Sequence, residues 1–226
     1  MKILSEPPLP PRSDGGQPIV IEIVFDPACP WCYIGKRRLE RALGMRPDIE
    51  PVLKWWPFLL NPEMPVEGID RTSYLLRKYG SETRVGRIYG AIAEVGQSVE
   101  IDFAFDRIRR APNTVNAHRL VRFAAVDGRA EAAVEALFFA YFIEARDIGE
   151  ISILLAIGAE LGLDFHALKG YLESEADAAA IYEENARAHR IGINGVPSFV
   201  FEGSLVISGA QEPKVLAGML DVARLG

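Results

Sequence analysis

The sequence predicts an α/β fold in which a large helical block interrupts a smaller strand-bearing unit. Three observations carry this. A β-branched, apolar run stands near the start, Ile19-Val20-Ile21-Glu22-Ile23-Val24-Phe25. Strand signals return only late, as Val196-Pro197-Ser198-Phe199-Val200-Phe201 and Ser204-Leu205-Val206-Ile207. Between them, from about Arg71 to Arg190, apolar residues recur at helical spacing instead of alternating.

The chain has 226 residues, the upper end for one domain, so one elaborated domain or a core with a sizeable insertion is expected. Hydrophobic residues at 49% and charged residues at 25% fit an ordinary soluble globular protein. The formal charge is −6 and no long Lys/Arg run occurs, which argues against a nucleic-acid partner. The short cluster Lys36, Arg37, Arg38 and Arg41 reads as one face of a helix. No stretch approaches the roughly 20 apolar residues that span a bilayer, so no membrane partner is expected. Residues 1–18 read as a flexible Pro-rich arm. Pro7, Pro8, Pro10, Pro11 and Pro18 break it, and no apolar run follows Lys2, so a secretory signal is not expected. The expected compartment is the cytoplasm.

Taken in order, Ile19–Phe25 is apolar toward both faces, the pattern of a buried central strand. Asp26-Pro27-Ala28 breaks it. Pro30 then opens a helix over 30–44, since proline at the first helical position loses no hydrogen bond, and Gly44 with Pro47 beyond closes it. Pro51–Leu60 is a second strand, and Pro57 ends it there or places it at a sheet edge. Asn61-Pro62-Glu63-Met64-Pro65 is a turn-rich exit. In the helical block, Val134, Leu137, Phe138, Tyr141 and Phe142 form one packing stripe, and Val115, Leu120, Phe123 and Ala124 another. Glu202-Gly203 reads as the two-residue turn of a late hairpin, and Pro213–Leu225 as a last helix. The units expected are therefore 19–61 with 188–226, and an inserted helical domain over 62–187.

Cys29 and Cys32 are the only cysteines of the chain. Two cysteines are too few for a secreted disulfide scaffold, and a structural zinc site needs about four ligands. His118, His166 and His189 are scattered, so no metal site is expected. Two thiols two residues apart can close a disulfide across the first turn of a helix. Cys29 faces the unpaired N–H groups and the positive dipole end there, which favour thiolate over thiol. Cys29 is thus the candidate nucleophile and the more exposed thiol, and Cys32, deeper in the helix, the candidate resolving thiol. Such a pair exchanges with a substrate disulfide through a mixed disulfide.

Cys29-Pro30-Trp31-Cys32 after an apolar strand, with the late Gly195-Val196-Pro197, resembles the thioredoxin superfamily. The long helical insert resembles its DsbA-like branch, and the chain is similar to the FrnE-like members. The carrying residues are Phe25-Asp26-Pro27-Ala28 before the cysteines, Asn113-Thr114-Val115-Asn116-Ala117-His118, Tyr141-Phe142 with Asp147-Ile148, Gly192 to Pro197, and Ser208-Gly209-Ala210-Gln211. The resemblance spans nearly everything after residue 18. It implies a thioredoxin-like fold with a large helical domain inserted between its halves. It also implies a cis bond before Pro197 beside the cysteines, and a thiol–disulfide oxidoreductase acting on protein or small-molecule disulfides. No cofactor beyond the redox-active pair is implied, with glutathione as a candidate co-substrate. The related 2-hydroxychromene-2-carboxylate isomerases place Ser at the nucleophile's position, where this chain has Cys29. A glutathione-dependent isomerase or transferase of the kappa type, and a redox-silent binding module, are the alternatives. Pro30, Trp31 and Val196 are expected around the substrate. Asn113 and His118 either face the cysteines from the helical block, or serve as a helix N-cap and a locally satisfied histidine. Trp55 and Trp56 are expected to pack the sheet, and Gln211 to belong to the turn before the last helix. The helical block is expected over the cysteine end of the sheet, where ligands of open α/β sheets bind, leaving a groove.

Overall fold

The computed structural model describes residues 18–225; the expected arm, apart from Pro18, lies outside them. Strand β1 (Ile19–Phe25) leads to helix α1 (Pro30–Gly44) and strand β2 (Pro51–Pro57). The block follows with β3 (Ile69–Asp70), α2 (Arg71–Tyr79), α3 (Glu82–Gln97), β4 (Arg110–Ala111), α4 (Val115–Val126), α5 (Ala130–Phe142), α6 (Ile151–Glu160), α7 (Phe165–Glu173) and α8 (Ala178–Arg190). The hairpin β5 (Ser198–Phe201) and β6 (Leu205–Ser208) and helix α9 (Pro213–Leu225) complete the chain.

The main sheet has the order β2-β1-β5-β6. β1 runs parallel to β2, with Phe25 opposite Pro57, and antiparallel to β5, with Ile23 opposite Phe199. Flanked on both sides and covered on both faces, β1 needs no polar alternation, which is why its sequence reads apolar throughout. Ile21, Ile23 and Phe25 join Phe199 and Phe201 in the main core with α1 and α9. Val24 and Val200 point the other way and pack with Phe58, Ala188 and Ile193 against α8. β2 is an edge strand ending at Pro57, where that proline's missing N–H is tolerated.

Several expectations are corrected. The hairpin turn has three residues, Glu202, Gly203 and Ser204, because Phe201 pairs with Leu205; Glu202 and Gly203 both take positive φ. Gly44 is not a left-handed cap; the helix is capped at Met45 in right-handed backbone. The block is not helical throughout: 98–114 is irregular and carries β4, which pairs with β3. Gly68 makes that approach feasible, since a Cβ there would meet the Ala111 carbonyl at 2.6 Å. The basic cluster does lie on α1, and part of it is buried. Lys36 is buried, its Nζ 2.8 Å from Glu135 of α5, and Arg37 pairs with the same carboxylate at 2.5 Å. Tyr33 donates its hydroxyl to Glu135 at 3.0 Å and stacks on Phe138, with ring centroids 4.9 Å apart. A charged seam and an aromatic one thus fasten α1 to α5.

Candidate active site

β1 delivers the chain to the end of the sheet at Phe25, and the turn Asp26-Pro27-Ala28 places Cys29 at the head of α1. The Cys29 N–H donates to the Asp26 carbonyl at 2.9 Å, and the Cys32 N–H to the Cys29 carbonyl at 3.0 Å. Cys29 is the N-cap, extended at φ −94°, with Pro30 next. Both cysteines are free thiols. Cys29 is 5% exposed and Cys32 2%, so the expected contrast in exposure is slight. The contrast lies in position: Cys29 lines an open cavity, and Cys32 does not. Burial pushes the Cys32 thiol well above its usual value, and its hydrogen bond with Cys29 pushes the same way. Trp31, at 38%, is the exposed member of the motif.

Gly195-Val196-Pro197 crosses directly over this turn. The Cys29 thiol donates a long contact to the Val196 carbonyl, 3.8 Å away, and the Val196–Pro197 bond is cis. Gly35 explains the closeness: a Cβ there would lie 2.7 Å from Pro197 Cγ and 3.3 Å from the Phe199 ring. Only a residue without a side chain lets α1 seat against Pro197 in this way.

Beneath the turn lies Asp26, 2% exposed. Its Oδ1 accepts from the Ala28 N–H at 2.9 Å and its Oδ2 from the Leu60 N–H at 2.8 Å, with the Thr114 hydroxyl also bonded to it. The carboxyl group therefore ties the cysteine turn to the exit of β2 and to the start of α4. Burial outweighs these bonds and raises its pKa from 3.8 to about 6. The sequence marked Asp26 as a strand breaker and as part of the motif before the cysteines, with no role of its own. The available signal was a carboxylate caught between a buried strand and a buried helix.

The helical block closes over this end of the sheet and leaves a cavity of about 280 Å³ against Cys29. Ala28, Pro30, Trp31, Gly195 and Val196 form the near wall. The far wall comes from α2 and α3, mainly Arg71, Tyr74, Lys78, Tyr79 and Tyr89, with Tyr141 of α5 behind. Nothing in the spacing of Arg71, Tyr74, Lys78, Tyr79 and Tyr89 separates them from ordinary helix surface, and sequence reasoning missed them; Tyr141 was read as a packing residue.

Asn113 and His118 do not line this cavity. Asn113 supports its rim from behind: its amide donates to the Met64 carbonyl at 2.7 Å, and its Oδ1 accepts from the Val115 N–H at 3.0 Å. The N-cap of α4 is Thr114, one residue later than expected. His118 is buried, with Nε2 3.3 Å from the Phe58 carbonyl oxygen and its ring edge-on to Phe25 at 5.0 Å. Burial lowers its pKa to about 3, which keeps it neutral. It borders a larger cavity of about 840 Å³ along the outer edge of β2, with Trp55 and Trp56, away from the thiols. Trp55 packs edge-on to Phe25 at 5.1 Å, and Trp56 packs into the cluster under α8. Gln211 donates to the Ser208 carbonyl at 2.7 Å, within the turn before α9. Among the described residues no three His, Cys, Asp or Glu side chains gather as metal ligands, and no helix is long and apolar enough to cross a membrane.

Comparison with known proteins places this geometry in a family. The DSBA-like thioredoxin domain matches residues 20–221. The uncharacterized protein YwbO of Bacillus subtilis is 28% identical over 191 residues, covering 84% of this chain and 90% of that one. The probable DsbA oxidoreductase SCO1869 of Streptomyces coelicolor superposes with a TM-score of 0.82 at 27% identity, covering 91% of this chain and 89% of that one. The cytosolic disulfide reductase DsbM of Pseudomonas aeruginosa shares the fold, with a TM-score of 0.62 at 23% identity, covering 92% of this chain and all of that one.

Proposed function

The chain belongs to the DSBA-like thioredoxin domain family, and from that premise we propose that it is a dithiol–disulfide oxidoreductase whose redox pair is Cys29 and Cys32. The single observation that carries the reading is the arrangement of the two thiols. Cys29 caps α1 and opens on a cavity, while Cys32 sits one turn deeper, closed off from that cavity. The Cys29 thiolate attacks one sulfur of a substrate disulfide, forms a mixed disulfide and expels the first substrate thiolate. Cys32 then loses its proton and attacks the Cys29 sulfur, which expels the second substrate thiolate and leaves a Cys29–Cys32 disulfide. The substrate gains two electrons and the enzyme loses two. Two equivalents of a thiol such as glutathione return the pair to the dithiol, and the reverse direction uses the same residues. Burial suits Cys32 to this role, because a thiol held protonated does not compete with Cys29 for the substrate. Val196 and Pro197 border the reacting sulfur, and the Val196 carbonyl lies 3.8 Å from it. A cysteine content limited to this pair fits a reducing compartment such as the cytoplasm.

The test is reduction of insulin by dithiothreitol with wild type, Cys29→Ser and Cys32→Ser. Wild type accelerates the reaction, Cys29→Ser does not, and Cys32→Ser accumulates a mixed disulfide with substrate. Full activity in Cys29→Ser removes the proposal.

A further inference from the structure

We infer that the substrate is a small disulfide bearing carboxylate groups, which Lys78 and Arg71 read from the helical block; this rests on the oxidoreductase reading above. The cavity beside Cys29, about 280 Å³, lies at the small end of the range for ligand sites, roughly 300–1,000 Å³. That volume holds a small molecule and leaves little room for a folded stretch of protein.

Its charge is the second observation. In a chain with a formal charge of −6, the residues lining this cavity include Arg71 and Lys78 and not one Asp or Glu. Elsewhere several half-buried and buried cations are matched to carboxylates, Lys36 and Arg37 to Glu135, Arg38 to Glu212, Arg122 to Glu184. The buried Arg119 is instead consumed by backbone carbonyls and Asn116, whereas Arg71 is half-buried and Lys78 exposed, and both border the cavity. Arg71 and Lys78 form no ion pair among the described residues. Both are instead held by neutral groups. Arg71 donates to the Phe105 carbonyl at 2.9 Å and lies over the Tyr89 ring, 4.8 Å from its centre. Lys78 donates to the Tyr74 hydroxyl at 3.0 Å and lies over the Tyr74 and Tyr79 rings at 5.3 and 5.7 Å. The Tyr74 hydroxyl is fixed in turn by Asn61, which leaves the chain at the end of β2. Aromatic and hydroxyl partners orient a cation without neutralising it, so both charges stay available to an anion. Lys78 is also within electrostatic reach of Cys29 and of the Asp26 carboxyl beneath the cysteine turn, with which it forms no ion pair. A carboxylate held there lies beside the attacking sulfur.

The experiment uses three symmetric disulfides of matched length: 3,3′-dithiodipropionate, bis(2-hydroxyethyl) disulfide and cystamine, which are dianionic, neutral and dicationic. Turnover is followed for wild type, Lys78→Met and Lys78→Arg, and for each substrate kcat/KM of the variant is divided by that of wild type, which cancels intrinsic thiol reactivity. Lys78→Met is expected to lower the ratio about tenfold for the dianion, leave the neutral compound within about twofold, and raise it for the dication. Lys78→Arg restores the dianion. Raising ionic strength from about 0.01 M to about 1 M weakens only the dianion in wild type. Equal changes for all three substrates, or insulin turned over faster than the dianion and indifferent to Lys78, overturn the acidic-substrate inference and leave the redox reading standing. Wild type that turns over none of the three, the neutral disulfide included, overturns the redox reading itself. A Lys78→Met protein with an altered melting temperature is replaced by Lys78→Gln, judged on the same three ratios.

Discussion

Replacing Asp26 with Asn isolates the energetics of the carboxyl group under the cysteine turn. The folded pKa of about 6 stands above the ordinary 3.8 because burial disfavours the charge more than the Ala28, Leu60 and Thr114 bonds favour it. Below about pH 3.8 the group is protonated whether the chain is folded or not, and its contribution to stability is fully present. Between 3.8 and 6 the folded protein keeps a proton that the unfolded chain releases, so that contribution is lost as pH rises. Above about pH 6 the charged carboxylate costs about 3 kcal/mol relative to the protonated group. Asn cannot ionise. Its amide supplies one acceptor where the carboxylate serves both the Ala28 and Leu60 N–H groups, an offset of about 1–3 kcal/mol that does not change with pH. The stability of Asp26→Asn relative to wild type should therefore climb by about 2.5 kcal/mol between about pH 4 and pH 7.5. Urea denaturation of the reduced proteins at several pH values measures the difference, in which titrating groups that do not interact with Asp26 cancel. A difference that stays flat, or falls with pH, would refute the buried, charge-disfavouring site described for Asp26.

Two further outcomes follow from the same geometry. Gly35→Ala forces a methyl group into Pro197 Cγ and the Phe199 ring; it should cost about 1–3 kcal/mol in urea denaturation and slow disulfide exchange by moving Val196 off Cys29, so unchanged stability and kinetics would contradict the close seat. Iodoacetamide at pH 7.5 should modify Cys29 at least about tenfold faster than Cys32 in the reduced protein, since burial pushes the Cys32 thiol upward; equal rates by mass spectrometry would reverse the assignment of nucleophile and resolving thiol.

The parts of the fold that were legible are those whose cause is local. Ile19–Phe25 had to be a strand buried on both faces because nothing polar interrupts it except Glu22. Pro30 and Gly44 bound a helix whose observed limits are 30–44, although the cap itself is Met45. The cysteine pair was legible for the same reason: the thiols and the helix end that positions them are neighbours in sequence. What was not legible depends on distant partners. β3 and β4 are two residues each and pair across 40 positions, so no run of alternating residues announces them. The Lys36 cluster read only as a basic helix face, with nothing to show its pairing, because Glu135 lies 99 residues away. His118 carries no local mark separating a ring near the thiols from one lodged against Phe25 and the Phe58 carbonyl. Arg71, Lys78 and the four tyrosines become one wall only after α2, α3 and α5 are packed.

That packing gives the inserted block a part in the chemistry beyond covering the sheet. The nucleophile belongs to α1, whereas the cations facing it belong to α2, and the two helices are far apart in sequence. α3 packs on both of them, and a second connection runs through α5. Lys36, Arg37 and Tyr33 of α1 converge on Glu135, and Tyr33 stacks on Phe138. Tyr141, one turn further along α5, donates to the Arg110 carbonyl of β4, whose partner β3 ends at Asp70, the N-cap of α2. One helix thus connects the residue after Cys32 to the residue before Arg71. Each of these links is a directional bond or a stacked ring, set within the apolar core that Tyr33, Phe138 and Tyr141 share. Under the proposed exchange, a wall positioned in this way would orient a substrate before attack, the condition under which binding geometry accelerates a bimolecular step.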